Sequence, residues 1–225
     1  LDHGRTLGIV GESGSGKTVL VRSIMRLNLG STVTTTGTVE FNGRELLGIP
    51  IRQMQDLWGP ELAMVFQDPM TSLNPLVRVS RQVTEHLHRH LGVSRDQARQ
   101  TALELMREVR IPDPETRLRA FPHELSGGMR QRVCIAIALA CEPTLLFADE
   151  PTTALDVTVQ HQILNLLGRE KQERDMTMVL VTHDLGVVAG RTDDTMVMYA
   201  GKVVEQAPTP TLFAEMRHPY SEALL

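Results

Sequence analysis

The residues best suited to chemistry form a glycine-rich segment near the start of the chain, Gly11-Glu12-Ser13-Gly14-Ser15-Gly16-Lys17-Thr18. The segment matches the phosphate-loop pattern at every defined position. Glycines let a backbone wrap a polyphosphate with its N–H groups pointing inward, and a following helix adds its positive end. In such a loop Lys17 reaches the β- and γ-phosphates and Thr18 holds Mg²⁺. The alternative is a flexible glycine turn, which the apolar run before the loop and the helical pattern after it disfavour.

A second candidate is an apolar run that ends in two acids, Leu145-Leu146-Phe147-Ala148-Asp149-Glu150. A buried strand delivers such carboxylates to its carboxyl end, where ligands bind in open α/β sheets. Asp149 is predicted to orient the magnesium shell, and Glu150 to act as the base for an attacking water. On its own this pattern is equally compatible with a solvated strand end, but a phosphate loop in the same chain favours the catalytic interpretation.

A third candidate is a Ser-Gly-Gly segment that opens a helix, Leu125-Ser126-Gly127-Gly128-Met129-Arg130-Gln131-Arg132. Its free N–H groups make a second phosphate-binding device. A chain with one phosphate loop has no evident need for two such sites. We therefore expect Ser126, Gly127 and Gly128 to serve a nucleotide held by another subunit.

The elements that position these residues alternate between strands and helices. Strands are predicted at 6–10, 62–66, 144–148 and 177–182, an antiparallel strand at 38–43 and a hairpin around Ala200-Gly201. Helices are predicted from Lys17 to about Leu27, through most of 80–140, and from about Thr158 past Leu167. Buried strands alternating with helices imply a parallel sheet with both faces covered.

Composition excludes some classes of protein. The chain has 225 residues and a net charge of −4, so nothing global points to nucleic acid as a partner. Its longest apolar runs fall well short of the roughly 20 residues that span a bilayer as a helix. Cys134 and Cys141 lie seven residues apart in an apolar helical stretch and are predicted to be buried small hydrophobes.

The three motifs together resemble those of the ATP-binding cassette family, over nearly the whole chain. Gln67 is similar to the family's Q-loop glutamine, Ala154-Leu155-Asp156 to its D-loop, and His183 to its switch histidine. The resemblance implies an α/β phosphate-loop NTPase fold: a RecA-like core at 1–69 and 141–225 with a partial antiparallel β subdomain, and an inserted helical subdomain at 70–140.

Within that family three stretches resemble the peptide, nickel and glutathione importer group. They are Met64-Val65-Phe66-Gln67-Asp68-Pro69-Met70-Thr71-Ser72-Leu73-Asn74-Pro75, Ala154-Leu155-Asp156-Val157-Thr158-Val159-Gln160, and His218-Pro219-Tyr220 through Leu225. Family members stack the adenine on an aromatic residue well upstream of the phosphate loop, and no aromatic residue precedes Gly11. Members of this group also continue into a C-terminal extension. We expect the chain to be truncated at both ends.

The resemblance also implies a mechanism. ATP and Mg²⁺ lie between two cassettes, with Lys17, Thr18, Gln67, Asp149, Glu150 and His183 facing each nucleotide. Thr18, Gln67 and Asp149 serve the metal. Ser126 and Gly128 of the other cassette close over the γ-phosphate, and Asp156 makes contact across the dimer.

The partners implied are a second, related but different cassette and two membrane-spanning permease subunits. An extracytoplasmic substrate-binding protein acts indirectly. The chain is then a peripheral subunit at the cytoplasmic face of the membrane, which powers import of oligopeptides or dipeptides.

Three other functions stay open at this level. One is an ATPase of nucleic-acid maintenance, but the interval between Gln67 and Ser126 has no long heptad run and no Cys-x-x-Cys pair. Another is a ribosome-associated ATPase with two cassettes in one chain. The third is a regulatory subunit without catalysis, which intact Lys17, Glu150 and His183 disfavour.

Overall fold

The structure is a computed structural model that describes residues 1–28, 33–153 and 155–225. The chain forms two compact units. The first comprises Leu1, Arg5–Trp58 and Val179–Leu225, and the second comprises Asp2–Gly4 and Gly59–Met178.

The strands are β1 (Thr6–Val10), β2 (Glu40–Phe41), β3 (Arg44–Glu45), β4 (Leu62–Val65), β5 (Leu145–Asp149), β6 (Thr177–Thr182), β7 (Asp194–Tyr199) and β8 (Lys202–Pro208). The helices are α1 (Lys17–Ile24), α2 (Ile51–Leu57), α3 (Pro69–Ser72), α4 (Val79–His86), α5 (Arg95–Glu108), α6 (Pro114–Arg119), α7 (Gly127–Leu139), α8 (Val157–Glu173), α9 (Leu185–Val188), α10 (Thr209–Ala214) and α11 (Pro219–Ala223). A π-helical turn, Leu87–Leu91, extends α4, and a 3₁₀ turn, Pro122–Glu124, precedes α7.

In the second unit the strand order is β4-β5-β6, and β4 and β5 are parallel with Val65 opposite Ala148. Their residues are buried almost without exception, as expected for parallel strands covered on both faces. Between β4 and β5 the chain is mostly helical, which confirms the predicted helical stretch. Ser94 and Gln97 form a capping box at the start of α5, and this fixes where the longest of these inserted helices begins.

In the first unit the strand order is β6-β1-β7-β8, so β6 contributes to both units. Strand β1 runs parallel to β7, and β8 is antiparallel to β7. Strands β2 and β3 form a separate antiparallel pair. The predicted mostly parallel α/β sheet with helical and antiparallel parts is thereby confirmed.

Helix α1 ends earlier than the sequence pattern predicts. Its last residue is Ile24, and Arg26 adopts a left-handed conformation with φ of 53°. Such a residue ends a helix. The guanidinium of Arg26 donates hydrogen bonds to the carbonyls of Leu46 and Ile49, which holds the chain in this conformation.

The division into a core at 1–69 and 141–225 and a helical subdomain at 70–140 stays a prediction. Across the described ranges 1–28, 33–153 and 155–225, no helix has both the length and the apolar character needed to cross a bilayer.

Candidate functional site

The phosphate loop lies in the first unit, directly after β1. Gly11 directly follows Val10, the last residue of that strand, which lies opposite Val197 of β7. A Cβ atom on Gly11 would lie 2.2 Å from the carbonyl oxygen of Met198, so only glycine fits there. Gly16 precedes α1 with φ of 100°, a left-handed conformation that side chains disfavour. The strand and helix predicted on either side of the loop are both present.

Lys17 is the first residue of α1 and is only 4% exposed. Its ammonium group donates hydrogen bonds to the carbonyl oxygens of Gly11, at 2.6 Å, and Glu12, at 2.9 Å. The side chain therefore folds back onto the start of the loop.

Ser15 ties the loop to the turn between β7 and β8. Its carbonyl accepts a hydrogen bond from the N–H of Gly201 at 3.0 Å, and its own N–H donates to the carbonyl of Glu12 at 3.1 Å. Its hydroxyl is buried and has no hydrogen-bond partner within the described residues. A buried polar atom of this kind suits a site that receives a polar ligand.

Glu150 lies in the second unit, directly after β5. It is 8% exposed and has a left-handed backbone with φ of 45°. Its Oε2 atom accepts hydrogen bonds from Nε2 of Gln67 and from the hydroxyl of Thr153, both at 2.9 Å. A left-handed backbone conformation costs free energy in a residue other than glycine, and such residues cluster at functional sites.

The contact between Gln67 and Glu150 follows from the sheet. The two residues come just after β4 and β5, which are adjacent and parallel. The carboxyl ends of parallel strands meet at one edge of a sheet, so residues far apart in sequence become neighbours there.

Asp149, Gln67 and Thr18 are the predicted metal ligands. Asp149 ends β5 and is fully buried, whereas Thr18 is a half-buried residue in the first turn of α1. All three offer oxygen atoms, the type that Mg²⁺ prefers. Gln67 donates to Glu150 through its nitrogen, so its amide oxygen is not used by that bond.

The Ser-Gly-Gly segment forms the N-terminus of α7. Ser126 is the N-cap, and its hydroxyl accepts a hydrogen bond from the N–H of Met129 at 3.3 Å. Ser126 and Gly127 are exposed. A Cβ atom on Gly128 would lie 3.0 Å from Val159 on α8, so this glycine permits close packing of the two helices. Because the helix start is exposed, its N–H groups can be reached from outside the chain.

Asp156 caps α8, since its carboxylate accepts a hydrogen bond from the N–H of Val159 at 3.0 Å. The predicted D-loop includes Ala154, which lies outside the described residues. His183 follows β6 directly and is exposed. The turn that carries it is fixed by Asp184, whose N–H donates to the hydroxyl of Thr182 and whose carboxylate caps α9.

Both cysteines are buried, as predicted. Burial raises the pKa of the Cys134 thiol to about 12 and that of Cys141 to about 11. Both thiols are therefore expected to stay protonated near neutral pH, the form that is a poor nucleophile.

Comparison with known proteins agrees with these motifs. The family model described as "ABC transporter" matches residues 1–153. This chain belongs to the ABC transporter family. Three relatives extend the match to the whole chain, although the chain spans only 63 to 68% of their lengths.

A probable peptide ABC transporter ATP-binding protein, y4tR of Sinorhizobium fredii, is 55% identical over 99% of the chain and 67% of its own length. The oligopeptide transport ATP-binding protein OppD of Bacillus subtilis is 50% identical over 100% of the chain and 63% of its length. The dipeptide transport ATP-binding protein DppD of Escherichia coli is 50% identical over 99% of the chain and 68% of its length.

Solved structures of the same family share the fold. The ATP-binding cassette MJ0796, in a dimeric post-hydrolysis state bound to ADP and Pi, has a TM-score of 0.82 and 29% identity over 93% of this chain and 87% of its own. CbiO1 from Clostridium perfringens has a TM-score of 0.79 and 27% identity over 96% of this chain and 81% of its own. The chain therefore has the α/β fold of an ABC cassette.

Two residues of this ABC cassette were not predicted as part of the site. Thr153 donates to Glu150, and its hydroxyl at the third position after the acid is the only sequence signal for that contact. Tyr220 accepts a hydrogen bond from the N–H of Glu12 at 2.8 Å. The sequence carries no signal for this contact, because 208 positions separate the two residues.

Proposed function

We propose that this chain binds and hydrolyses ATP and that hydrolysis powers import of oligopeptides or dipeptides through membrane-spanning partner subunits. The strongest support is Glu150, a buried carboxylate at the end of β5 that is oriented by Gln67 and Thr153. The ATP-binding proteins of peptide transporters to which the chain is about half identical support the cargo class.

The phosphate loop fits the polyphosphate of ATP. Lys17 places a cation over the loop, Ser15 contributes a buried hydroxyl, and Gly14 leaves open space, with nothing within 4 Å of an added Cβ atom. Residues 11–18 would hold the phosphates through backbone N–H groups and the positive end of α1.

Thr18, Gln67 and Asp149 would hold Mg²⁺ through a hydroxyl, an amide oxygen and a carboxylate, a donor set that suits this ion. When bound, the ion neutralises charge on the phosphates. Lys17 would contact the same phosphates directly, through its ammonium group.

Glu150 would accept a proton from, or orient, the water that attacks the γ-phosphate. Two donors bond to its Oε2 atom, so the carboxylate is fixed before the reaction and needs little reorganisation during it. His183 would contact the γ-phosphate and stabilise the charge that develops on it.

We further propose that two cassettes act together. The start of α7 comprises Ser126 and Gly127, which are exposed, and Gly128, which is partly buried. Its N–H donors would close over the γ-phosphate held by a second cassette. Asp156 would contact that second cassette. The dimeric state of MJ0796 supports this arrangement, and the second cassette is a related but different subunit.

Loss of the γ-phosphate would weaken the contact between the cassettes, because ATP binds the closed state better than the open one. Gln67 bonds to Glu150 and lies two residues before the start of α3. It would therefore relay the state of the nucleotide to the inserted helices.

A loop after α3 presents the surface that would dock on a permease subunit. Leu76, in this loop, is 84% exposed, and Met70, in α3 itself, is 62% exposed. The loop is held firmly, because Gln82 exchanges hydrogen bonds with both backbone groups of Asn74, and the Asn74 side chain accepts from the N–H of Leu76. Docking on a partner would remove this apolar side chain from water, which is favourable.

In this arrangement two permease subunits and the cassettes form the transporter, and an extracytoplasmic binding protein delivers the peptide. The chain is then peripheral at the cytoplasmic face of the membrane. Its similarity to transport proteins disfavours a role in nucleic-acid maintenance or on ribosomes.

Leu76→Asp is expected to weaken association with the permease subunits at least about 10-fold, because burying an unpaired charge in an apolar contact costs more than ~1.4 kcal/mol. The measurement is co-purification of the full-length protein with membrane-spanning subunits from native membranes in mild detergent.

The matched control is Val203→Asp, which places the same charge at a 49%-exposed valine on β8 and should leave co-purification unchanged. If the unchanged protein comes with ribosomes or DNA-associated proteins and no membrane-spanning subunit, the transport function is wrong.

A further inference from the structure

We propose that Tyr220 is a positioning residue for Lys17 and that it sets the affinity of the phosphate loop for ATP. This inference rests on the proposed nucleotide-binding function of the loop. It concerns a residue at the opposite end of the chain, whose phenolic oxygen accepts a hydrogen bond from the N–H of Glu12 at 2.8 Å.

The inference depends on one peptide group, the one that joins Gly11 to Glu12. Its N–H donates to Tyr220, and its C=O, the carbonyl of Gly11, accepts from the ammonium of Lys17 at 2.6 Å. A trans peptide is planar, with its N–H and C=O pointing in opposite directions. Tyr220 on one side therefore determines where the other side presents an acceptor to Lys17.

The two hydrogen bonds also strengthen each other. A peptide group that donates through its N–H becomes a better acceptor at its oxygen, because hydrogen bonds in a chain polarise one another. Tyr220, the 11–12 peptide and Lys17 form such a chain. Loss of the phenolic oxygen would both free the peptide to rotate and weaken its hold on the ammonium group.

Tyr220 is itself held in place at its backbone. It lies in α11, and its N–H donates to Nδ1 of His218, the N-cap of that helix, at 3.1 Å. The carboxylate of Glu205 on β8 accepts hydrogen bonds from the N–H groups of Arg217, at 2.8 Å, and His218, at 3.1 Å. The start of α11 is thus tied to the sheet that carries the phosphate loop.

The ring of Tyr220 is held by packing. It lies 4.5 Å from the ring of Tyr199, centroid to centroid. It also packs against a core cluster that includes Val10, the last residue before the loop. The packed ring therefore holds the phenolic oxygen at the position where it accepts the hydrogen bond from the loop.

The experiment compares Tyr220→Phe with Tyr199→Phe in the full-length protein. The first variant removes the oxygen that bonds to Glu12 and keeps the ring. The second makes the same chemical change in the neighbouring ring, whose hydroxyl has no hydrogen bond among the described residues. The readouts are KM for ATP, kcat, the melting temperature, and hydrogen exchange at the Glu12 amide.

Tyr220→Phe is expected to raise KM for ATP about 3- to 10-fold, the effect of losing one hydrogen bond, with kcat nearly retained. It should also accelerate exchange of the Glu12 amide, whereas Tyr199→Phe should do neither.

An unchanged KM in Tyr220→Phe would overturn the inference, as would equal effects of the two variants. A lower melting temperature with a parallel loss of kcat would reveal a purely structural role and would overturn it too. Failure of the unchanged protein to bind ATP would instead refute the proposed function, and the inference with it.

Discussion

Glu150→Gln is expected to lower the rate of ATP hydrolysis by between about 100- and 10,000-fold, the usual contribution of a general base, while ATP still binds. Glutamine keeps a side-chain oxygen that can accept from Gln67 and Thr153, the two donors that orient the native carboxylate. What it lacks is the ability to take up a proton. ATP should therefore accumulate between the cassettes and trap them as a dimer.

The measurements for this variant are phosphate release by the purified transporter, ATP binding by titration, and association of the two cassettes with and without ATP. Glu173→Gln is the matched control, since it makes the same change at an exposed glutamate of α8 in the same unit and should hydrolyse ATP normally. Hydrolysis by Glu150→Gln at the normal rate would remove Glu150 from the role of base.

Lys17→Ala is expected to weaken ATP binding by about 10- to 100-fold, since hydrogen bonds to charged groups contribute roughly 1.5–3 kcal/mol each. Lys17 is the cation that the structure holds over the phosphate loop, with bonds to the carbonyls of Gly11 and Glu12. Alanine would remove the charge and leave those two carbonyls facing the phosphates.

Titration of ATP in a fluorescence or calorimetric experiment measures this effect directly. The control is Lys202→Ala, because Lys202 is an exposed lysine on β8 of the same unit. This variant should bind ATP as tightly as the unchanged protein does. Equal affinity of Lys17→Ala and the unchanged protein would exclude Lys17 from the nucleotide site.

Much of the fold and of the candidate site could be predicted because its signals are local. The apolar run at 177–182 gave β6 with the same bounds, and the phosphate loop lies between the predicted strand and helix. Contiguous motifs such as residues 11–18 fix their own backbone geometry through the positions of their glycines. Residue type and spacing therefore suffice to recognise them.

The remaining features depend on tertiary contacts that no spacing encodes. The bond between Gln67 and Glu150 requires the parallel register of β4 and β5. The bond between Tyr220 and Glu12 requires α11 to be tied to β8 by Glu205. The early end of α1 depends on the contacts of Arg26 with Leu46 and Ile49. In each case the partner is set by packing between distant segments.

ATP-driven peptide uptake tests the central claim most directly. Proteoliposomes would contain the full transporter with ATP at its cassettes, and a labelled dipeptide or oligopeptide would be supplied on the other side with the binding protein. We expect uptake with the unchanged chain and background uptake with Glu150→Gln. Two results would contradict the proposal that this chain is the ATPase subunit that powers a peptide importer. One is normal ATP hydrolysis without uptake of either peptide, and the other is equal uptake by the two proteins.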